Sequence, residues 1–124
     1  MEISERDEQI LRHIVRYCNE VQESIHIIKT EEALQASFFY KNALSMPIAQ
    51  IGELANHLTD DFTRRCPQIP WRAIVGMRNH FVHDYGAMDF RKVWITATQD
   101  IPIFRRNCEE ILSGKTQNNE YAKE

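Results

Sequence analysis

Apolar residues return every three or four positions along most of the chain, the period of a helix with one buried face. The first stretch is Ile10, Leu11, Ile14, Val15, Cys18, Val21, Ile25 and Ile28, set against a polar face of Arg12, Arg16, Asn19, Glu23 and His26. Ser4 stands where an N-cap accepts from free amides, and Glu5, Asp7 and Glu8 follow where the helix dipole favours acids. The pattern predicts a helix over 4–29. Thr30, Glu31 and Glu32 repeat the start signal. A second helix is predicted over 31–58, with Leu34, Phe38, Phe39, Leu44, Ile48, Ile51, Leu54, Ala55 and Leu58 as its apolar set. Pro47 removes a donor inside it, which predicts a kink near 43–47. Two long helices joined by so short a turn pack antiparallel.

Thr59, Asp60 and Asp61 predict a stop and a short helix through Arg65, and Cys66-Pro67-Gln68-Ile69-Pro70 reads as an irregular connector. Pro70 suits the first position of a further helix anchored by Trp71, Ile74, Val75 and Met77 and ending near 83–86. Asp89 is placed to cap a last long helix to about Leu112, with Phe90, Val93, Trp94, Ala97, Ile101, Phe104, Cys108 and Ile111 facing inward and a bend at Pro102. The expected fold is all-α, an antiparallel bundle of four to five helices. One domain spans 1–112, and residues 113–124 form a polar, flexible tail.

Composition narrows the class. A chain of 124 residues implies one domain, and 43% hydrophobic with 27% charged residues is ordinary for a globular protein. Four Gly and four Pro are too few for a turn-rich all-β fold. No apolar run reaches the roughly 20 residues of a membrane span, and the charged start is followed by no apolar signal region. The expectation is a soluble, cytoplasmic protein. Cys18, Cys66 and Cys108 are odd in number and far apart, which argues for core thiols over a disulfide framework or a zinc site. The net charge of −3 hides an asymmetry: residues 1–63 carry −6 and residues 64–92 carry +4. A local basic stretch attracts phosphates, although a solvated charged face gives the same signal.

The chemistry-bearing residues crowd into one run, Arg78-Asn79-His80-Phe81-Val82-His83-Asp84-Tyr85. Cleaving RNA without a metal needs a base for the 2′-hydroxyl proton, a cation for the phosphorane and an acid for the leaving oxygen. Histidine titrates near neutral pH and serves as base or acid, and arginine presents a planar fork matched to phosphate. Helical geometry divides the run. Arg78 and His83 differ by about 140° around a helix, so they converge only if the helix unwinds, Arg78 reaches around, or a second subunit contributes. His80, His83 and Asp84 could begin a metal site, but nothing else in the sequence completes it, and no metal or cofactor is expected.

The spacing Arg78-x4-His83-x-Tyr85 resembles the motif of HepT-like proteins in the HEPN superfamily. The resemblance extends, in order and spacing, to Ile48–Asn56, Pro67–Asn79, Val93-Trp94 and Asp100–Pro102, and so covers essentially residues 5–112. It implies an all-α bundle that dimerises with two motif-bearing helices lining a shared cleft. It implies a metal-independent endoribonuclease, the toxin of a toxin–antitoxin pair, whose partner is an MntA-like minimal nucleotidyltransferase that silences it by transferring AMP to a tyrosine. On this chain Arg78 and His83 would be catalytic, Asn79 the supporting polar residue and Tyr85 the AMP acceptor. Many relatives have Gly before the motif tyrosine and an aromatic after it, where this chain has Asp84 and Gly86. Asp84 adds negative charge beside the site, and with the acidic balance it points to an alternative: a non-catalytic helical subunit that presents Tyr85 to a nucleotidyltransferase. A third reading is a structural bundle with no site.

Overall fold

Ser4 opens the first helix as expected, its hydroxyl accepting from the Asp7 amide at 3.1 Å. A computed structural model describes residues 2–121. Helix α1 spans Glu5–Ile28 and ends at Lys29, which takes a φ of 75° while its amide bonds the Ile25 carbonyl. Leu11, Ile14, Cys18, Val21 and Ile28 are buried along one face, as the three–four spacing requires.

The second predicted helix is divided. Helix α2 covers Glu31–Ala36, Ser37 is extended (φ −134°, ψ 117°), and α3 covers Phe38–Asn56. Ser37 caps α3 by accepting from the Tyr40 amide at 3.2 Å, so a serine inside the apolar pattern acts as a fresh start signal. The break resets the helical phase. Phe38 and Phe39, expected on the core face, are instead 69% and 72% exposed and stack on each other at 4.6 Å. Leu44, Ile48, Ile51 and Ala55 are buried as expected. Helix α3 runs on through Pro47, and in the turn before it Ser45 donates to the Lys41 carbonyl.

The start of α1 meets the end of α3. The buried Asp7 carboxylate accepts from the Thr59 amide at 2.9 Å and the Thr59 hydroxyl at 2.6 Å, and Arg6 donates to the His57 carbonyl. Those contacts fix the pair as antiparallel. Thr59 in turn caps α4 (Asp60–Arg65). Trp71 closes the connector, its indole N–H donating to the Cys66 carbonyl at 3.0 Å and its ring meeting Phe62 and Phe104. Helix α5 spans Trp71–His83, and Pro70 stands one place outside it, at the cap, rather than in the first turn.

A 3₁₀ turn (Tyr85–Ala87) leads to α6 (Phe90–Ile95), capped by Asp89. Residues Thr96–Asp100 form a π-helical turn that joins α6 to α7 (Ile101–Tyr121). The expected bend is therefore a widened turn ahead of Pro102. The proline cannot donate to the Thr98 carbonyl and its ring crowds that position; one extra residue in the turn relieves both. Ile101 bonds back to the Thr96 carbonyl, and Thr98 donates to Trp94. Residues 122–124 of the predicted tail lie outside the described residues.

The result is an all-α bundle. Helix α1 packs on α3 and α7, and α3 also packs on α5. No helix among the described residues is long and apolar enough to cross a membrane. Cys18, Cys66 and Cys108 are free and buried in the core. Burial pushes the Cys18 thiol up to about 12, and it raises Cys66 and Cys108 as well. The folded protein should accordingly resist a thiol reagent such as DTNB at pH 8 and release all three thiols on unfolding. Each thiol keeps its proton longer folded than unfolded, so its contribution to stability holds below pH 9 and, for Cys18, declines between 9 and about 12. Urea titrations across that window measure the decline.

Candidate active site

The surface where α5 crosses α3 is set by a missing side chain. A Cβ on Gly52 would stand 2.9 Å from both the Arg78 amide nitrogen and the Ile74 carbonyl oxygen. Only glycine lets the two backbones approach this closely. Arg78 emerges at the crossing. Its Nε donates to Glu53 Oε2 at 2.8 Å, and the other oxygen of that carboxylate lies 3.3 Å from His57 Nε2. The Nη1 of Arg78 reaches Asn79 Oδ1 at 3.4 Å.

Helix α5 remains helical through His83, which excludes local unwinding as the way to bring Arg78 and His83 together. His83 is exposed on a different face, about 140° away. Among the described residues no hydrogen bond or ion pair engages its imidazole. Asp84 closes the helix and lies 4.0 Å from His80, the other histidine of the run. The carboxylate that suggested a weakened or non-catalytic site thus has His80 as its ion-pair neighbour. Among the described residues no group of three or more His, Cys, Asp or Glu is arranged to hold a metal.

Tyr85 sits just past the helix. Its hydroxyl donates to Asn42 Oδ1 on α3, and its ring meets Phe90 edge-on at 5.9 Å. The Lys41 ammonium lies over the same Phe90 ring, 5.1 Å from its centroid. A shallow hollow of about 560 Å³ runs along the α3–α5 face, with Met46 and Val82 among its lining residues. The Tyr85–Asn42 pair borders one end, and Arg78 with Glu53 lies further along the same two helices. Met46 and Val82 are 62% and 55% exposed.

One chain thus joins Arg78 with Asn79, and Tyr85 with α3, but holds Arg78 and His83 apart. Glu53 and Asn42 touch two of the four predicted residues and do not stand out in the sequence as site residues. Glu53 leaves a trace, a carboxylate inside the apolar run Ile48–Ala55; Asn42 leaves none. Chemically, Arg78 offers guanidinium donors to a phosphate, and His83 offers an imidazole free to move a proton.

The all-α bundle carries the Arg78-x4-His83-x-Tyr85 run along the second half of α5 and into the turn after it, as the resemblance to HepT-like ribonucleases implies. Residues 11–111 match the family described as Ribonuclease HepT-like, and the chain belongs to that family. By that membership it is an endoribonuclease. A protein of Thermococcus cleftensis named as a probable ribonuclease HepT is 30% identical over 101 residues, 77% of this chain and 92% of that protein. A protein of Caldanaerobacter subterraneus named as a candidate RNase is 28% identical over 102 residues, 82% of this chain and 90% of that one. Another so named, from Methanocaldococcus jannaschii, is 28% identical over 110 residues, 88% of this chain and its own full length. No solved structure matches the chain.

Proposed function

We propose that this chain is the ribonuclease toxin of a toxin–antitoxin pair, and that it cuts RNA without a metal in a cleft between two copies of itself. The observation that carries the reading is the division of the motif. Arg78 and His83 are both at the surface, yet a continuous helix turns them away from each other. A second copy seated on the α3–α5 face supplies the missing half. The exposed Met46 and Val82 give that face the apolar area such a contact uses.

In the reaction an imidazole takes the 2′-hydroxyl proton, and the 2′-oxygen attacks phosphorus. The 5′-oxygen leaves with a proton from an imidazole acting as acid. His83 does this proton work, Arg78 stabilises the phosphorane oxygens, and Asn79 supports Arg78. The products are a 2′,3′-cyclic phosphate and a 5′-hydroxyl. Tyr85 is the regulatory group. An MntA-like nucleotidyltransferase directs its hydroxyl at the α-phosphorus of ATP, pyrophosphate leaves, and the AMP ester sets a negative phosphate and a base beside Arg78.

Two measurements test this. Purified protein in EDTA should cleave structured RNA and leave cyclic-phosphate ends; products with 3′-hydroxyl ends would refute the mechanism. Incubation with the partner enzyme and ATP should raise the intact mass in AMP steps, Tyr85→Phe should abolish the rise, and cleavage should fall with it.

A further inference from the structure

We infer that Glu53 is a positioning residue for RNA cleavage, holding the Arg78 guanidinium in the orientation that meets the scissile phosphate. The inference rests on Arg78 acting as proposed above. A carboxylate near a phosphate site is unexpected on electrostatic grounds, because it repels RNA. Its geometry explains its presence. Arginine has several rotatable bonds, and an exposed one samples many of them. Glu53 engages the Nε at 2.8 Å, the donor nearest the backbone, and so fixes the stem while sparing the terminal nitrogens. Nη1 has only the 3.4 Å approach of Asn79, and both Nη groups remain donors for phosphate oxygens.

The carboxylate is itself held. Its second oxygen lies 3.3 Å from Nε2 of His57, the residue that caps α3 one turn on. Its backbone follows Gly52, the residue pressed against the Arg78 amide. Glu53 and Arg78 therefore leave adjacent points of one tight helix crossing, and their relative position is set by backbone contact. With the side chains 37% and 41% exposed, the pair adds little to stability, and its value lies in aim.

The test is steady-state cleavage of a 5′-labelled mixed-sequence RNA oligonucleotide in EDTA. Glu53→Ala should lower kcat by about 10- to 100-fold, as expected for a misplaced catalytic group, while KM stays level or falls because a negative charge has gone. Glu53→Gln, whose amide oxygen still accepts from Nε, should recover most of kcat. In an Arg78→Ala background Glu53→Ala should cost nothing further, because the two act through one group. The Arg78 Nε–H resonance should exchange faster with water in Glu53→Ala, independently of activity. A kcat at or above the wild-type level in Glu53→Ala, with Arg78→Ala inactive, overturns the inference alone and leaves Glu53 a repulsive surface charge. Full activity in Arg78→Ala overturns the site reading and the inference with it.

Discussion

Arg78→Ala and His83→Ala, each alone, should slow RNA cleavage by about 10²-fold or more, and mixing the two impaired proteins should restore much of it. The size of the single losses follows from their roles. Removing a group that stabilises transition-state charge costs about 10²–10³-fold, and a general acid–base about 10²–10⁴-fold. Recovery on mixing tests the division of the motif. Helix α5 is continuous from Trp71 to His83, so the two groups of one chain diverge. In a mixed dimer of the proposed kind each subunit keeps the group its partner lacks, and one intact Arg78 would face one intact His83 across the cleft. Random exchange makes about half the dimers mixed, so a substantial fraction of wild-type activity should return. Native mass spectrometry of the mixture confirms exchange. No recovery in exchanged dimers would mean that each chain carries its own complete site.

Gly52→Val should be the most damaging single change outside the motif, lowering stability by about 3 kcal/mol and the melting temperature by about 10 °C or more. The added carbons have nowhere to go. The first would already lie 2.9 Å from two backbone atoms of α5, which cannot swing aside as a side-chain tip does. Helix α5 must shift, and it carries Arg78 with it, so cleavage should fall beyond what the fraction unfolded explains. Gly76 is the control. It lies in the middle of α5, where an added methyl group would meet nothing within 4 Å, so Gly76→Ala should gain about 0.5–1 kcal/mol through helix propensity. Differential scanning calorimetry of the two variants separates the cases.

The bundle is legible in the sequence because most of its helices announce themselves twice, by a stripe and by a cap. Ser4, Thr30, Thr59 and Asp89 all cap as the sequence implies. The break at Ser37 is hidden because the apolar residues after it still fall at helical spacing. Pattern counting assumes an unbroken phase, and one extended residue resets it, which turns Phe38 and Phe39 outward. The π-helical turn is masked similarly, since Pro102 marks a bend without saying whether the chain kinks or widens. The motif residues stand out by proximity in sequence. Glu53 and Asn42 do not, because their partnership with Arg78 and Tyr85 exists only once α3 and α5 cross.

Helix α5 lies along α3, while its other flank borders an open space of about 390 Å³ lined in part by Met77, His80, Met88 and Lys92. Past the Gly52 crossing the end of α5 is thus held chiefly from the α3 side. Local opening free energies are smallest where apolar contacts are few, so the last turn of α5, with its exposed Val82 and His83, should open before the Gly52 crossing and before α1, α3 and α7. A fold arranged this way would keep the stem of Arg78 rigid at the crossing while leaving the helix end that carries His83 room to adjust to an RNA strand at the proposed site.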